Sequence, residues 1–208
     1  MATPIYHITH LNNLRSIVKQ NGLWCEAERA NQEINCLNIA YMSLKDRRSR
    51  RVVTCGQRGV LSEYVPFHFA PRSPMLYVIN KGGVDSYKGG EKPIVHLVST
   101  VERVQKAGLS FVFTDGHAVM SLSRFFDDLR DLQYIDWDVM KATYWNDTPD
   151  DPDRSRRRQA EFLVSKFVPW DLFLGIGVID ATIAKKVQSI ISKASYQPQV
   201  KEKQAWYY

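Results

Sequence analysis

DDPDRSRRRQAEFLVSKFV, residues 150–168, passes in one short stretch from an acidic and then arginine-rich segment into an apolar run. Residues 144–158 read as a polar loop with two prolines. EFLVSKFV at 161–168 reads as a strand, because short apolar runs rich in β-branched and aromatic residues between turn signals mark buried strands. Glu161 therefore stands at a strand mouth, facing whatever the loop covers. Taken alone it also reads as an exposed strand-end carboxylate or a partner for the adjacent arginines. Working outward, PIYHIT (4–9), MLYVI (75–79), IVHLV (94–98), SFVFT (110–114) and FLGIGVI (173–179) read as further strands. Helices are expected over Leu11–Gln20, closed by Asn21-Gly22, over Ser121–Leu132, and over Ala181–Lys193. Residues 24–60 look loop-rich, and the tail QPQVKEKQAWYY reads as an edge strand. The fold class is α+β, in a single domain spanning 1–208.

Composition narrows the function. The chain has 208 residues, 44% hydrophobic and 24% charged, the balance of an ordinary soluble globular protein. No stretch approaches the roughly 18 uncharged apolar residues of a membrane span, and no secretory signal is visible. Three cysteines without CxxC spacing and five histidines without HExxH argue against a disulfide framework and a metal site, and for a reducing, cytoplasmic setting. The net charge of +6 is concentrated in KDRRSRR (45–51) and in Arg154, Arg156, Arg157 and Arg158. Two solvated loops would look like this. Two arginine clusters also suit phosphate, because guanidinium forks match phosphate oxygens. Neither GxGxxG, GxxxxGK[ST] nor GxSxG occurs, so no dinucleotide-binding βαβ unit, P-loop or nucleophile elbow is indicated.

Three more segments carry chemistry-bearing side chains. In HITH (7–10), a strand would point His7 and Thr9 one way and Ile8 and His10 the other. In YVPFHFAPRSPMLY (64–77), the prolines argue against a central strand, and Tyr64, Phe67, Phe69 and Tyr77 suit either base stacking or a loop buried over a core. FVFTDGHA (111–118) reads as a strand followed by a turn that sets Asp115 and His117 at its end.

Taken in order, HITH…NL…NGL (7–23), RRxxRxV (47–53), YVPFHFAPRSPM (64–75), FVFTDGHA (111–118), DDPD (150–153), RQAEFLV (158–164) and the closing WYY resemble the DarT family almost end to end. These are toxins of bacterial toxin–antitoxin pairs that transfer ADP-ribose from NAD to bases of single-stranded DNA. The resemblance implies an ADP-ribosyltransferase (PARP-like) fold, a split, twisted β-core with peripheral helices. Its cleft would hold NAD as a substrate, with no metal. His7, Ile8 and Thr9 would line the nicotinamide pocket, and His10, Asn13, Gly22 and Leu23 also fall on the NAD side. Glu161 would be the transferase glutamate. An arginine of 47–51 would be the second catalytic group and an NAD contact, with Arg48 and Arg51 as candidates. Loop 144–160 would read the acceptor. DNA contacts would come from Arg47, Tyr64, Phe67, Met75, His117, Tyr144, Trp145, Arg154, Arg156, Arg157 and Arg158. YVPF and DDPD look closer to the thymine-modifying branch, and the implied partner is a macrodomain antitoxin that removes the ADP-ribose. Two other readings share parts of this pattern: an ADP-ribosyltransferase acting on protein or RNA, and a non-catalytic single-strand DNA-binding module.

The chemistry is consistent with those residues. Cleaving the nicotinamide glycosidic bond leaves an oxocarbenium-like ribose, which a carboxylate stabilises. The same carboxylate can draw the proton from an acceptor nitrogen. A single strand needs cations and stacking faces, and presents its bases without flipping.

Overall fold

The structure, a computed structural model, describes residues 2–208. Its strands are β1 (Pro4–His10), β2 (Gly22–Trp24), β3 (Tyr64–His68), β4 (Ile94–Thr100), β5 (Phe111–His117), β6 (Phe125–Phe126), β7 (Ala160–Ser165), β8 (Phe167–Pro169), β9 (Gly175–Val178) and β10 (Gln199–Glu202). Eight form one sheet in the order β10-β9-β4-β1-β3-β7-β5-β6, and β2 pairs with β8 beside it. The sheet is divided in its middle. β1 pairs with β4 from Pro4↔Thr100 to His10↔Ile94, but with β3 only at Tyr6↔His68. This is the split core that the family resemblance implied, with four strands on each side.

The division explains how Pro66 sits in a central strand, against the expectation drawn from its ring. The Pro66 carbonyl accepts a hydrogen bond from His7 Nδ1 across the opening at 2.8 Å. In a strand, the N and C=O of one residue point the same way, so the missing N–H of Pro66 also faces the opening, where no ladder bond is lost. The other edge of β3 pairs fully with β7, from Tyr64↔Ser165 to His68↔Glu161.

The helices are α1 (Leu14–Lys19), α2 (Glu26–Asn31), α3 (Met42–Arg50), α4 (Pro74–Asn80), α5 (Val101–Lys106), α6 (Trp137–Lys141), α7 (Arg154–Arg157) and α8 (Ala181–Ile191). α8 follows its apolar period, burying Ile183, Ala184, Val187 and Ile191, and Asp180 caps it by accepting from Ile183 N at 2.9 Å. Aromatics fill the core. Phe67, Phe113, Phe162, Trp170 and Phe173 are fully buried, and Phe111 stacks on Phe162 at 5.0 Å.

Several local expectations are corrected. MLYVI is helical, in α4: Ser73 Oγ accepts from Leu76 N at 3.2 Å, Pro74 opens the first turn, and Leu76 and Ile79 share the buried face. Ser121–Leu132 is no helix but β6 and the start of a 3-10 turn over Leu129–Tyr134, because Phe126 is drawn flat against Phe113 at 5.3 Å and Asp128 caps the turn. Residues 24–60 contain α2 and α3. TDGH lies within β5 rather than in a turn, where the strand bulges against β7 between Phe113 and His117. The tail does form an edge strand, β10, but WYY lies beyond it, with Trp206 edge-on to Tyr6 at 5.2 Å and the Tyr207 hydroxyl donating to the Ile94 carbonyl at 2.8 Å.

Three histidines make this core sensitive to acid. Burial holds His7, His68 and His96 down to about 4. Unfolded histidine titrates near 6.5, so between those values the unfolded chain binds protons that the folded chain excludes. Stability is therefore complete above that window and is lost as the pH falls through it, by about 1–2 kcal/mol per histidine at pH 5. Thermal unfolding measured from neutral pH downward should show Tm falling before the carboxylates titrate. A Tm that stays level until the carboxylate range would contradict this.

Candidate active site

A cavity of about 440 Å³ opens where the sheet divides, and Glu161 lines it. Glu161 is the second residue of β7, buried like Ala160 before it, flanked by His68 on β3 and by the bulge of β5 across the sheet. Its backbone N–H donates to Thr114 Oγ1 at 3.2 Å, which fixes the strand at the bulge. The bulge brings the Ala118 N–H to within 3.1 Å of Glu161 Oε1, and Arg48 Nη1 lies 2.7 Å from Oε2. Burial acts to raise the Glu161 carboxyl. Arg48, with His117 and His68 nearby, outweighs it and holds the group below the ordinary glutamate value. The site thus keeps an ionised carboxylate in a largely dry place.

The conformation places Arg48 and Arg51 in different surroundings. Met42–Arg50 is a helix with no buried residue, and Arg48 points from it into the cavity wall. Arg51 is the residue where the helix ends in extended backbone. Its Nε and Nη2 donate to the carbonyls of Ala118 and Met120 at 3.3 and 3.2 Å. Arg51 therefore braces the turn whose Ala118 N–H holds Glu161, and it does not line the cavity. Arg47 is exposed on the same helix.

On the proposed NAD side, His7, Ile8, Thr9, Asn13, Gly22 and Leu23 all line the cavity. His10 does not. It accepts from Asn12 N at 3.1 Å and packs edge-on to Tyr87, so its work is local. Asn13 spends its amide on the cavity wall, donating to the Leu37 carbonyl at 3.1 Å and accepting from Leu37 N at 2.8 Å. Gly22 is required by close approach: a Cβ there would lie 2.2 Å from the Phe167 ring. Trp24 Nε1, Arg48 Nη2 and His68 Nδ1 are buried without a hydrogen-bond partner, and all three residues line the cavity. Unsatisfied buried donors cost stability unless a ligand takes them up, and a substrate with hydroxyl, amide and phosphate oxygens suits this set.

On the proposed DNA side, Tyr64, Met75, His117 and Trp145 line the cavity, while Tyr144 stands outside it, 83% exposed. Burial pushes His117 below its usual value, against the pull of Glu161. Phe67 is fully buried under the sheet and has no face to offer a base. Tyr64 is buried in a core cluster, its hydroxyl donating to the Arg58 carbonyl at 2.6 Å. The second arginine cluster is largely neutralised. Arg156 is bound to Asp153 at 2.7 Å and Asp115 at 3.2 Å, and Arg157 to Asp136 and Asp151. Arg158 is buried, donating to the carbonyls of Val139 at 2.6 Å and Arg72 at 2.9 Å. Arg154, 3.8 Å from Asp151, is the most loosely paired. The guanidiniums of 156–158 are thus held by Asp151 and Asp153 nearby, by Asp115 and Asp136 from far along the chain, and by backbone carbonyls at Arg158.

His68 and Trp24 were missed in the sequence. His68 lay inside a motif read for its aromatics, and only the register His68↔Glu161 reveals its place. Trp24 followed a helix stop and carried no pattern. Segment 34–41, another wall, has no periodicity to read.

Known proteins resemble this chain in sequence and in fold. Residues 6–208 match the family model described as ssDNA thymidine ADP-ribosyltransferase, DarT. A DNA ADP-ribosyl transferase of Thermus aquaticus is 43% identical over 208 residues, covering 99% of this chain and 89% of the relative. The structure of Thermus sp. 2.9 DarT in complex with ADP-ribosylated ssDNA superposes with a TM-score of 0.92 at 43% identity, covering 99% of this chain and 96% of that one. The same protein in complex with NAD+ gives 0.87 at 41% identity, covering 99% and 98%. A DNA ADP-ribosyl transferase–DNA ADP-ribosyl glycohydrolase fusion protein of Thermosipho africanus is 28% identical over 191 residues, covering 90% of this chain and 45% of the fusion. With a family match over residues 6–208 and such similarity across nearly its whole length, this chain belongs to the DarT family.

Proposed function

We propose that this protein transfers ADP-ribose from NAD+ to thymine in single-stranded DNA, releasing nicotinamide. The observation that carries the reading is the ionised Glu161, held in the cavity by Arg48 and the Ala118 N–H. NAD+ supplies the ADP-ribosyl group and, as nicotinamide leaves, a positively charged ribose. Glu161 faces that charge and stabilises it. It then accepts the proton of the acceptor nitrogen. Arg48 keeps Glu161 in place with one arm of its fork, and the other arm is free for a substrate oxygen. His7, Thr9 and Leu23 line the donor side, and Met75, Trp145 and His117 the acceptor side.

Residues 1–208 act as one domain, since a single sheet carries both halves of the cleft. Among the described residues no helix is long and apolar enough to cross a membrane. Such an enzyme would act on the cell's own DNA in the bacterial cytoplasm, as a toxin whose adduct blocks replication. The fusion of transferase to glycohydrolase in the Thermosipho relative supports a partner that removes the adduct, a macrodomain antitoxin.

Four single-stranded oligonucleotides, each lacking one base, test the acceptor. After incubation with NAD+, mass analysis should find ADP-ribose on the three that contain thymine and none on the fourth. Modification of the thymine-free strand would move the assignment to another base.

A further inference from the structure

We propose that Tyr208 is a positioning residue for the acceptor, holding Trp145 at the cavity while NAD+ binding proceeds without it. This rests on reading the chain as a DNA ADP-ribosyltransferase. Trp145 lines the cavity from segment 142–153, and most of its immediate neighbours are exposed. Its indole Nε1–H donates to the Tyr208 hydroxyl at 3.3 Å. Its ring stands edge-on to Tyr77 at 5.8 Å, and Tyr77 in turn meets Tyr208 at 5.1 Å.

Tyr208 joins this tryptophan to a firm node. Its hydroxyl donates to the Arg72 carbonyl at 3.1 Å, and the Arg72 guanidinium lies 4.3 Å over its ring. One hydroxyl proton and two lone pairs permit both hydrogen bonds at once. The same carbonyl accepts from Arg158 Nη2 at 2.9 Å. Arg158 Nη1 reaches back to Val139 and Met140 in α6. One buried guanidinium thus ties the start of the loop to its end, three residues before Glu161, and Tyr208 fastens the loop's tryptophan to that tie. The backbone of Tyr208 is itself fixed, its N–H donating to Glu91 at 3.1 Å and its carbonyl accepting from Asn80 at 3.3 Å. This gives PRS (71–73) and the closing WYY, which do not line the cavity, a common purpose. Tyr208 does not line the cavity, and none of these contacts reaches His7, Thr9 or Asn13.

The test compares wild type, Tyr208→Phe, Trp145→Phe and the double variant in the full chain. Phenylalanine keeps each ring and removes the hydroxyl or the indole N–H. Tyr208→Phe should raise KM for a single-stranded oligonucleotide about tenfold, the scale of a small misplacement at a reacting centre. KM for NAD+, affinity for carba-NAD+ and Tm should stay at wild-type values. The double variant should lose no more than Trp145→Phe alone, because both changes break one link. Four outcomes overturn the proposal: an unchanged oligonucleotide KM in Tyr208→Phe, an equal loss of NAD+ affinity, a shift in Tm, or losses that multiply in the double variant. A wild-type protein that leaves DNA unmodified overturns the reading of function itself, and this inference with it.

Discussion

Glu161→Gln should abolish transfer of labelled ADP-ribose to single-stranded DNA, with a rate loss of about 1,000-fold or more, the scale seen when charge stabilisation at a reacting centre is removed. The substitution is nearly isosteric. A glutamine oxygen can still accept from the Ala118 N–H or from Arg48, so the cavity keeps its shape. What is lost is the negative charge. Arg48 sits against the carboxylate so that it stays ionised although it is buried, and among the described residues the other acid lining the cavity is Glu26, which is paired with Lys45. NAD+ affinity should change little, since binding draws on the whole lining. A Glu161→Gln variant that modifies DNA at the wild-type rate would remove Glu161 from the chemistry.

Arg48→Lys and Arg51→Lys should separate by about 30- to 100-fold in transfer rate. Arg48 uses one fork arm on Glu161 at 2.7 Å and leaves Nη2 buried and unpaired beside the cavity. Lysine offers one compact ammonium on a flexible stem and cannot hold the carboxylate and a substrate oxygen together, so a loss of about 100-fold is expected. Arg51 donates to the carbonyls of Ala118 and Met120 and lies 5.5 Å over the Phe125 ring, in partly solvated surroundings. Lysine can keep one of those bonds, and the loss should stay within about threefold. Steady-state rates on one oligonucleotide at saturating NAD+ check both. Equal losses would mean that the two arginines act as one unit.

The strands around the site could be read in the sequence because β4, β5 and β7 bury short apolar runs and β1 has a β-rich alternation. β1, β4 and β5 lie where those runs predicted them, whereas EFLVSKFV is not one strand: it breaks at Lys166, at φ 60°, into β7 and β8, and β8 leaves the large sheet to pair with β2. α3 could not be read this way. It is mostly polar and has no fully buried residue, Leu44 alone packing partly against the core, so it shows no hydrophobic period, yet it is the element that separates Arg48 from Arg51. MLYVI shows the opposite difficulty. A five-residue apolar run fits a strand or a helix equally well, and the deciding signal was the Ser73-Pro74 cap just before it. Charge was the least legible quantity. Arg156, Arg157 and Arg158 look like a cationic patch in the sequence, but Asp115 and Asp136, distant along the chain, reach back to the first two, and backbone carbonyls take the third. Phe67 likewise looked like a stacking face and is core, because strand alternation turns it inward between Pro66 and His68. The family motifs carried the identity of the site. Its geometry depended on register and on a bulge, which a single sequence does not display.

The most direct measurement is to offer the protein labelled NAD+ together with single-stranded DNA, RNA and a protein mixture, and to follow where the label goes. The expected result is ADP-ribose on the DNA alone, with one nicotinamide released per adduct, and no label on any pool with Glu161→Gln. Label on RNA or protein but not on DNA, or labelled DNA with the Glu161→Gln variant, would contradict the account.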